Sequence, residues 1–159
     1  MSGGASIGVD LTSQGTTLLH RLGAYHRAED GKAYKYVKYE DGVAAIAGVA
    51  GEVCYYFADT GVIGNIVTSD LSSSGSAGTE VGAGVLQASL ADGEYGWIQT
   101  RGPATLTIAL TAGADGNALT PTGAGDGTLD VVVTTVALCH ICAYAGDISA
   151  KEIICCFPD

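Results

Sequence analysis

Charge is scarce in this 159-residue sequence: Asp, Glu, Lys and Arg make up 15% of it, where about a quarter is usual. So few charges cannot cover a fully solvated surface, which predicts that some apolar or small-residue surface meets a partner. Aromatics other than tyrosine are nearly missing, with one Trp and two Phe. There are only three prolines and no collagen-like period, which excludes a proline-rich or triple-helical chain. No stretch reaches the roughly 18 uncharged apolar residues that a membrane-spanning helix needs; residues 42–51 are uncharged, but Glu52 ends the run. The opening MSGGASIGVD has neither the basic nor the apolar part of a secretory signal. The five cysteines (54, 139, 142, 155 and 156) therefore read as reduced thiols of a cytoplasm, including that of an infected cell.

Basic charge is the scarcest of all, and it is unevenly placed. Residues 1–38 carry five basic and three acidic side chains, net +2, whereas residues 39–159 carry two basic and fourteen acidic, net −12. An acidic body repels nucleic acid, so neither nucleic acid nor a membrane is expected as a partner. A mildly basic N-terminal segment on an acidic body suits docking on a charged protein lattice or on copies of itself.

What is abundant is glycine, at 24 residues, and tyrosine, at eight. Scattered glycines suit tight turns between short strands and weigh against long helices. Apolar residues at 47% place the chain in the globular class, with enough length for one domain and a real core. The Gly-, Ser- and Thr-rich residues 1–20 read as an arm that orders on contact, and residues 21–159 as the body. Residues 22–27 and 32–39 flank Ala28-Glu29-Asp30-Gly31, a hairpin signal. Residues 51–57 and 61–68 read as strands, and residues 71–78 as a loop. Residues 81–90 and 94–100 flank a second turn, Ala91-Asp92-Gly93. In residues 105–112 Thr alternates with apolar side chains, the pattern of a half-buried strand. A turn-dense connector over 113–127 precedes a valine-rich strand expected over 128–144. Residues 148–157 fit either a short helix or a final strand. Short strands with Gly/Asp turns every eight to twelve residues predict an all-β, single-domain β-sandwich or barrel-like body with an extended N-terminal arm.

Candidate chemistry is thin. Cys139, His140, Cys142, Cys155 and Cys156 resemble two halves of a zinc site. In extended strands, however, residues one or three apart point to opposite faces, so the thiols read as small buried hydrophobes. The same geometry separates Cys139 from His140 as a nucleophile–base pair, and His20 and His26 lie in the basic segment. No Gly-x-Ser-x-Gly elbow or phosphate-binding loop is present. Asp115, Asn117, Asp126 and Asp130 are oxygen-rich enough for calcium but lack the spacing of known calcium loops, and they suit ordinary turns. No cofactor, no metal and no enzymatic activity are expected. Tyrosine offers a large apolar face with a polar end and favours interfaces. Tyr34, Tyr36 and Tyr39 are the interface candidates, whereas Tyr55, Tyr56 and Tyr144 read as sheet packing. Arg101, one of two cations after residue 38, is a further interface candidate.

The run VGAGVLQASLADGEYGWIQTRGPATLTI contains Gly93, Tyr95, Gly96, Trp97, Ile98, Gln99 and Gly102 in the pattern Gly-x-Tyr-Gly-Trp-Ile-Gln-x-x-Gly. It resembles the decoration, or cement, proteins of tailed-bacteriophage capsids, and the later GADGNALTPTGAGDGTLDV is similar to them as well. The likeness spans roughly residues 80–147 and leaves the first forty outside. It implies a non-enzymatic virion protein, made in the host cytoplasm, that sits on the capsid surface and bridges neighbouring capsomers. Its implied partners are the major capsid protein and, at local symmetry axes, further copies as a dimer or trimer. The alternatives are a small β-barrel ligand-binding module, with Gln99 and Arg101 lining its pocket, or another virion component such as a tail subunit.

Overall fold

The computed structural model describes residues 9–58, 61–75, 79–133 and 140–158. Its core is a closed barrel of five strands. These are β2 (Ala33–Tyr39), β3 (Val53–Tyr56), β4 (Ile66–Thr68), β5 (Gly82–Leu86) and β6 (Tyr95–Thr105), in the order β2-β4-β3-β5-β6, closed by pairing of β6 with β2. A short strand, β1 (Tyr25–Arg27), extends the sheet from β2. On the other side, β10 (Glu152–Cys156), β9 (Ala143–Asp147), β7 (Ala118–Thr120) and β8 (Asp130–Val131) continue it from the second half of β6. The all-β, barrel-like reading of the sequence holds.

Alternation along β2 explains the closure. Val37 and Tyr39 face the barrel interior with Cys54, Tyr56, Val67, Leu86, Leu90 and Ile98. Tyr34 and Tyr36 face outward and form a separate aromatic layer with Trp97. β2 and β6 run antiparallel with Tyr36 opposite Trp97, and the two ring centroids lie 5.2 Å apart. A second core lies between the barrel's outer wall (Val53, Tyr55, Val85) and the β7–β9–β10 layer (Leu119, Ala143, Ala145, Ile153, Cys155), and includes the fully buried Phe157.

Both predicted turns form: Gly31 and Gly93 adopt φ of +86° and +78°, the left-handed region that glycine enters without cost. The first joins β1 to β2 as expected, and the closing segment resolves as a strand rather than a helix. Other boundaries move. Residues 61–64 form one helical turn, and the strand starts only at Ile66. The strand expected over 81–90 stops at Leu86, after which Leu90 bridges to Gly48. β6 runs on to Thr105, and residues 106–112 form no strand despite their alternation. No neighbouring strand offers them a ladder: Leu106 N–H goes to Lys151 O and Thr107 N–H to Gly51 O instead. Of the long strand expected over 128–144, Asp130–Val131 and the start of β9 are present, while residues 134–139 lie outside the described residues.

Residues 9–20, read as an arm, lie along the body. Val9, Leu11 and Leu22 pack on the Tyr34–Tyr36–Trp97 layer, and His20 meets the rings of Tyr36 and Trp97 edge-on at 5.1 and 5.2 Å. Burial of that layer is incompatible with solvent on both sides of β2, so the segment serves as its cover.

The loop after β4 is held by one carboxylate. Asp70 accepts hydrogen bonds from Ala44 N–H (3.0 Å), Ser72 N–H (3.0 Å) and Ser73 Oγ (2.8 Å), capping a single 3₁₀ turn at Leu71–Ser73. Its burial opposes ionisation, but these donors outweigh the burial and hold its pKa below the usual 3.8. The stability it contributes is complete above that value and is lost as pH falls through the lowered folded value. Asp70→Asn is expected to lower stability by about 1–3 kcal/mol at neutral pH, and denaturant melts should show the gap narrowing below pH 3.8. Trp97, 2% exposed, should cost about 3–5 kcal/mol on truncation to Ala in the same melts. At Gly84 an added Cβ would lie 2.7 Å from the Gln99 carbonyl oxygen, so Gly84→Ala should destabilise by about 1–3 kcal/mol by forcing β5 from β6.

Candidate assembly surface

The four interface candidates separate once folded. Tyr34, Tyr36 and Tyr39 are 6%, 1% and 0% exposed, so within one chain they are covered by the chain's own residues and none stands on its open surface, where the sequence reading had put them. Their alternation along β2 was legible, but both faces of that strand are covered. Tyr39 points into the barrel, where its hydroxyl donates to Ile46 O (2.6 Å) and accepts from Ser69 N–H (3.1 Å). Tyr36 lies under the N-terminal segment, its hydroxyl accepting from Leu19 N–H (3.3 Å). Arg101 is exposed, as an interface residue must be. Tyr55 and Tyr56 are buried as read, but Tyr144, assigned to packing, is 45% exposed.

Arg101 and Tyr144 belong to one surface. Past Gly102, β6 leaves the barrel and pairs with β10, which pairs with β9, which pairs with β7. The inward residues of this layer fill the second core, and the intervening ones face away from it. Register places Pro103 opposite Ile154, Ile154 opposite Tyr144, and Tyr144 opposite Ala118. Residues directly opposite share a face. These four therefore form one row crossing four strands, roughly 14 Å at ~4.8 Å per strand. Ile154 and Tyr144 are each 45% exposed, and Pro103 is exposed as well. Arg101 pairs with Cys156 one step along the strands, and Thr105 pairs with Glu152 one step the other way. An apolar row is thus flanked by a guanidinium and a carboxylate. Val133 follows β8 and Ile141 precedes β9, and both are exposed apolar side chains. What could have found the row from the sequence is the alternation Glu152, Ile153, Ile154, Cys155 with no polar residue at 154, which marks a strand apolar on both faces.

The other candidate residues are occupied structurally. Cys54, Cys142 and Cys155 are buried, and Cys156 is half-buried. Burial pushes the Cys155 thiol up to about 12 and raises Cys54 and Cys142 too, which keeps these thiols protonated at neutral pH. Burial also raises Cys156, partly offset by Arg101. His140 is exposed, and Cys139 lies outside the described residues. Among the described residues no group of three or more His, Cys, Asp or Glu is arranged to hold a metal. The four oxygen ligands considered for calcium serve separate turns: Asp115 accepts from Ile148 N–H, Asn117 from Ala114 N–H, Asp126 from Leu71 N–H and Asp130 from Val131 N–H.

Where β6 diverges from β5 lies an open depression of about 400 Å³, lined among others by Lys32, Val85, Leu86, Gln87, Gln99 and Glu152. Gln99 spends its amide on Arg101 O (3.0 Å) and Pro103 O (2.9 Å), which props the departure of β6 from the barrel. A second depression of about 500 Å³ sits beside β1, between Arg21, Tyr25, Lys35 and Asn65. Lys35 lies deep there, its ammonium donating to the Tyr56 hydroxyl (2.8 Å) and sitting 5.1 Å from the Tyr56 ring centre. No family model matches this chain, and neither does any curated protein or solved structure.

Proposed function

We propose that this chain is a virion structural protein of the decoration type, which stabilises an icosahedral phage capsid by bridging neighbouring capsomers. The observation that carries the reading is the apolar row Pro103–Ile154–Tyr144 on the open face of the β6–β10–β9–β7 layer. Side chains in register across adjacent strands present a flat surface, and a flat partner removes them from water together. Arg101 beside the row supplies a planar fork of donors at the rim, where it orients a partner more than it adds affinity. The likeness of residues 93–102 to decoration proteins supplies the class of that partner, the major capsid protein. On this reading the chain sits on the virion surface, as a dimer or trimer at a local symmetry axis. Scarcity of charge and an acidic body fit a protein that meets other protein and avoids the packaged genome.

The test is quantitative mass spectrometry of gradient-purified particles from the source. A fixed copy ratio to the major shell protein that survives salt washing is the expected result. Ile154→Asp should cut that occupancy about tenfold, equivalent to about 1.4 kcal/mol, while leaving the melting midpoint near that of the parent because Ile154 is half-exposed. Absence of the chain from particles, or undiminished occupancy by the variant, would overturn the reading.

A further inference from the structure

We propose that residues 9–22 are exchanged between copies of this chain: the segment that covers the Tyr36–Trp97 face of its own barrel occupies the same face of a neighbour on assembly. The inference rests on the assembly reading above and names the partner of this face as a second copy.

The segment is held lightly. It contains no helix and no strand, only an isolated bridge between Gly15 and Tyr95. Its backbone ties to the barrel are Tyr95 N–H to Gly15 O (2.8 Å) and Leu19 N–H to the Tyr36 hydroxyl (3.3 Å). Other bonds, such as Ser13 N–H to Asp10 O, stay within the segment. The barrel does not need it for closure, because the β2–β6 ladder beneath is continuous from Lys38↔Tyr95 to Ala33↔Arg101, apart from one register shift.

What lies beneath still has to be covered. Tyr36 and Trp97 present two large rings, and Val9, Leu11, His20 and Leu22 of the segment lie on them beside Ala24, Ala28 and Tyr95. A groove shaped by this segment fits an identical segment equally well, so exchange keeps every contact and adds only the cost of association. On a lattice that cost is reduced by high effective concentration. Two features favour the exchanged form. Gly23, with φ +80°, gives a pivot between the segment and β1. From Leu22 back to Gly15 the extended chain reaches roughly 23 Å, enough to cross to an adjoining body. In addition, Leu18 and Leu19 are 53% and 59% exposed while the segment lies on its own barrel. Consecutive leucines left in water are covered where two exchanged segments run past each other.

The experiment mixes unlabelled copies carrying a photoreactive leucine analogue with heavy-isotope-labelled copies of the same purified chain. The mixture is incubated at low and at high concentration and irradiated. Cross-links from Leu11 to the peptide containing Trp97 are then sorted by isotope. Mixed-isotope pairs that grow with concentration are expected; same-isotope pairs alone, or no pair from Leu11, would overturn the exchange. No particle is present, so the two readings fail separately. Mixed pairs from a chain that never enters particles uphold exchange and sink the capsid role. Same-isotope pairs from a chain firmly bound to particles do the reverse.

Discussion

The antiparallel ladder between β2 and β6 is the constraint on which the rest of the molecule depends. It closes a five-strand sheet that would otherwise have two open edges. By fixing which side chains meet, it also divides the core. Val37, Tyr39 and Ile98 are sealed inside, while Tyr36 and Trp97 are set side by side outside. Outward aromatics create a second demand, a cover, and the N-terminal segment meets it. The order of dependence runs from pairing, to the aromatic layer, to the position of residues 9–22.

The length of β6 sets the remaining architecture. Eleven residues are more than a small barrel uses, so its second half departs and builds a new sheet with β10, β9 and β7. The absence of a side chain at Gly84 lets β5 approach β6 closely, and the Gln99 amide holds the carbonyls of the departing stretch. The added layer lies against the barrel wall on one face, and no element covers the other among the described residues. A single layer of strands has one face too many for one core. Here the spare face carries Pro103, Ile154 and Tyr144.

Scarcity of charge is put to local use. Asp30, Asp70, Asp115, Asp126, Asp130 and Asp147 all accept from backbone N–H groups at turns and loop ends. A carboxylate used this way satisfies donors that a glycine-rich loop leaves unpaired. That accounts for a body with many acids but no gathering of them into a metal or catalytic cluster among the described residues. The ion pair Lys38–Glu40, at 3.1 Å, bridges side chains two apart in sequence and ties nothing distant together.

By itself the sequence determined the class of fold, both Asp-Gly turns, the core strand around Cys54–Tyr56 and the burial of Cys142 and Cys155. Each follows from local chemistry: alternation, a positive φ, or the opposite faces of neighbouring strand residues. Only the tertiary structure decided which strands pair, and with that decision went the rest. The alternating residues 106–112 found no ladder partner, and in the valine run after Leu129 the strand among the described residues is Asp130–Val131. Tyr34, Tyr36 and Tyr39 carry the composition of an interface, yet they are buried, because the barrel's own interior fills one face of β2 and residues 9–22, with β1, lie over the other. Tyr144 and Ile154 look no different in sequence and are left outside. Exposure is a property of what lies against a strand, and period-two patterning records only the strand's own two faces.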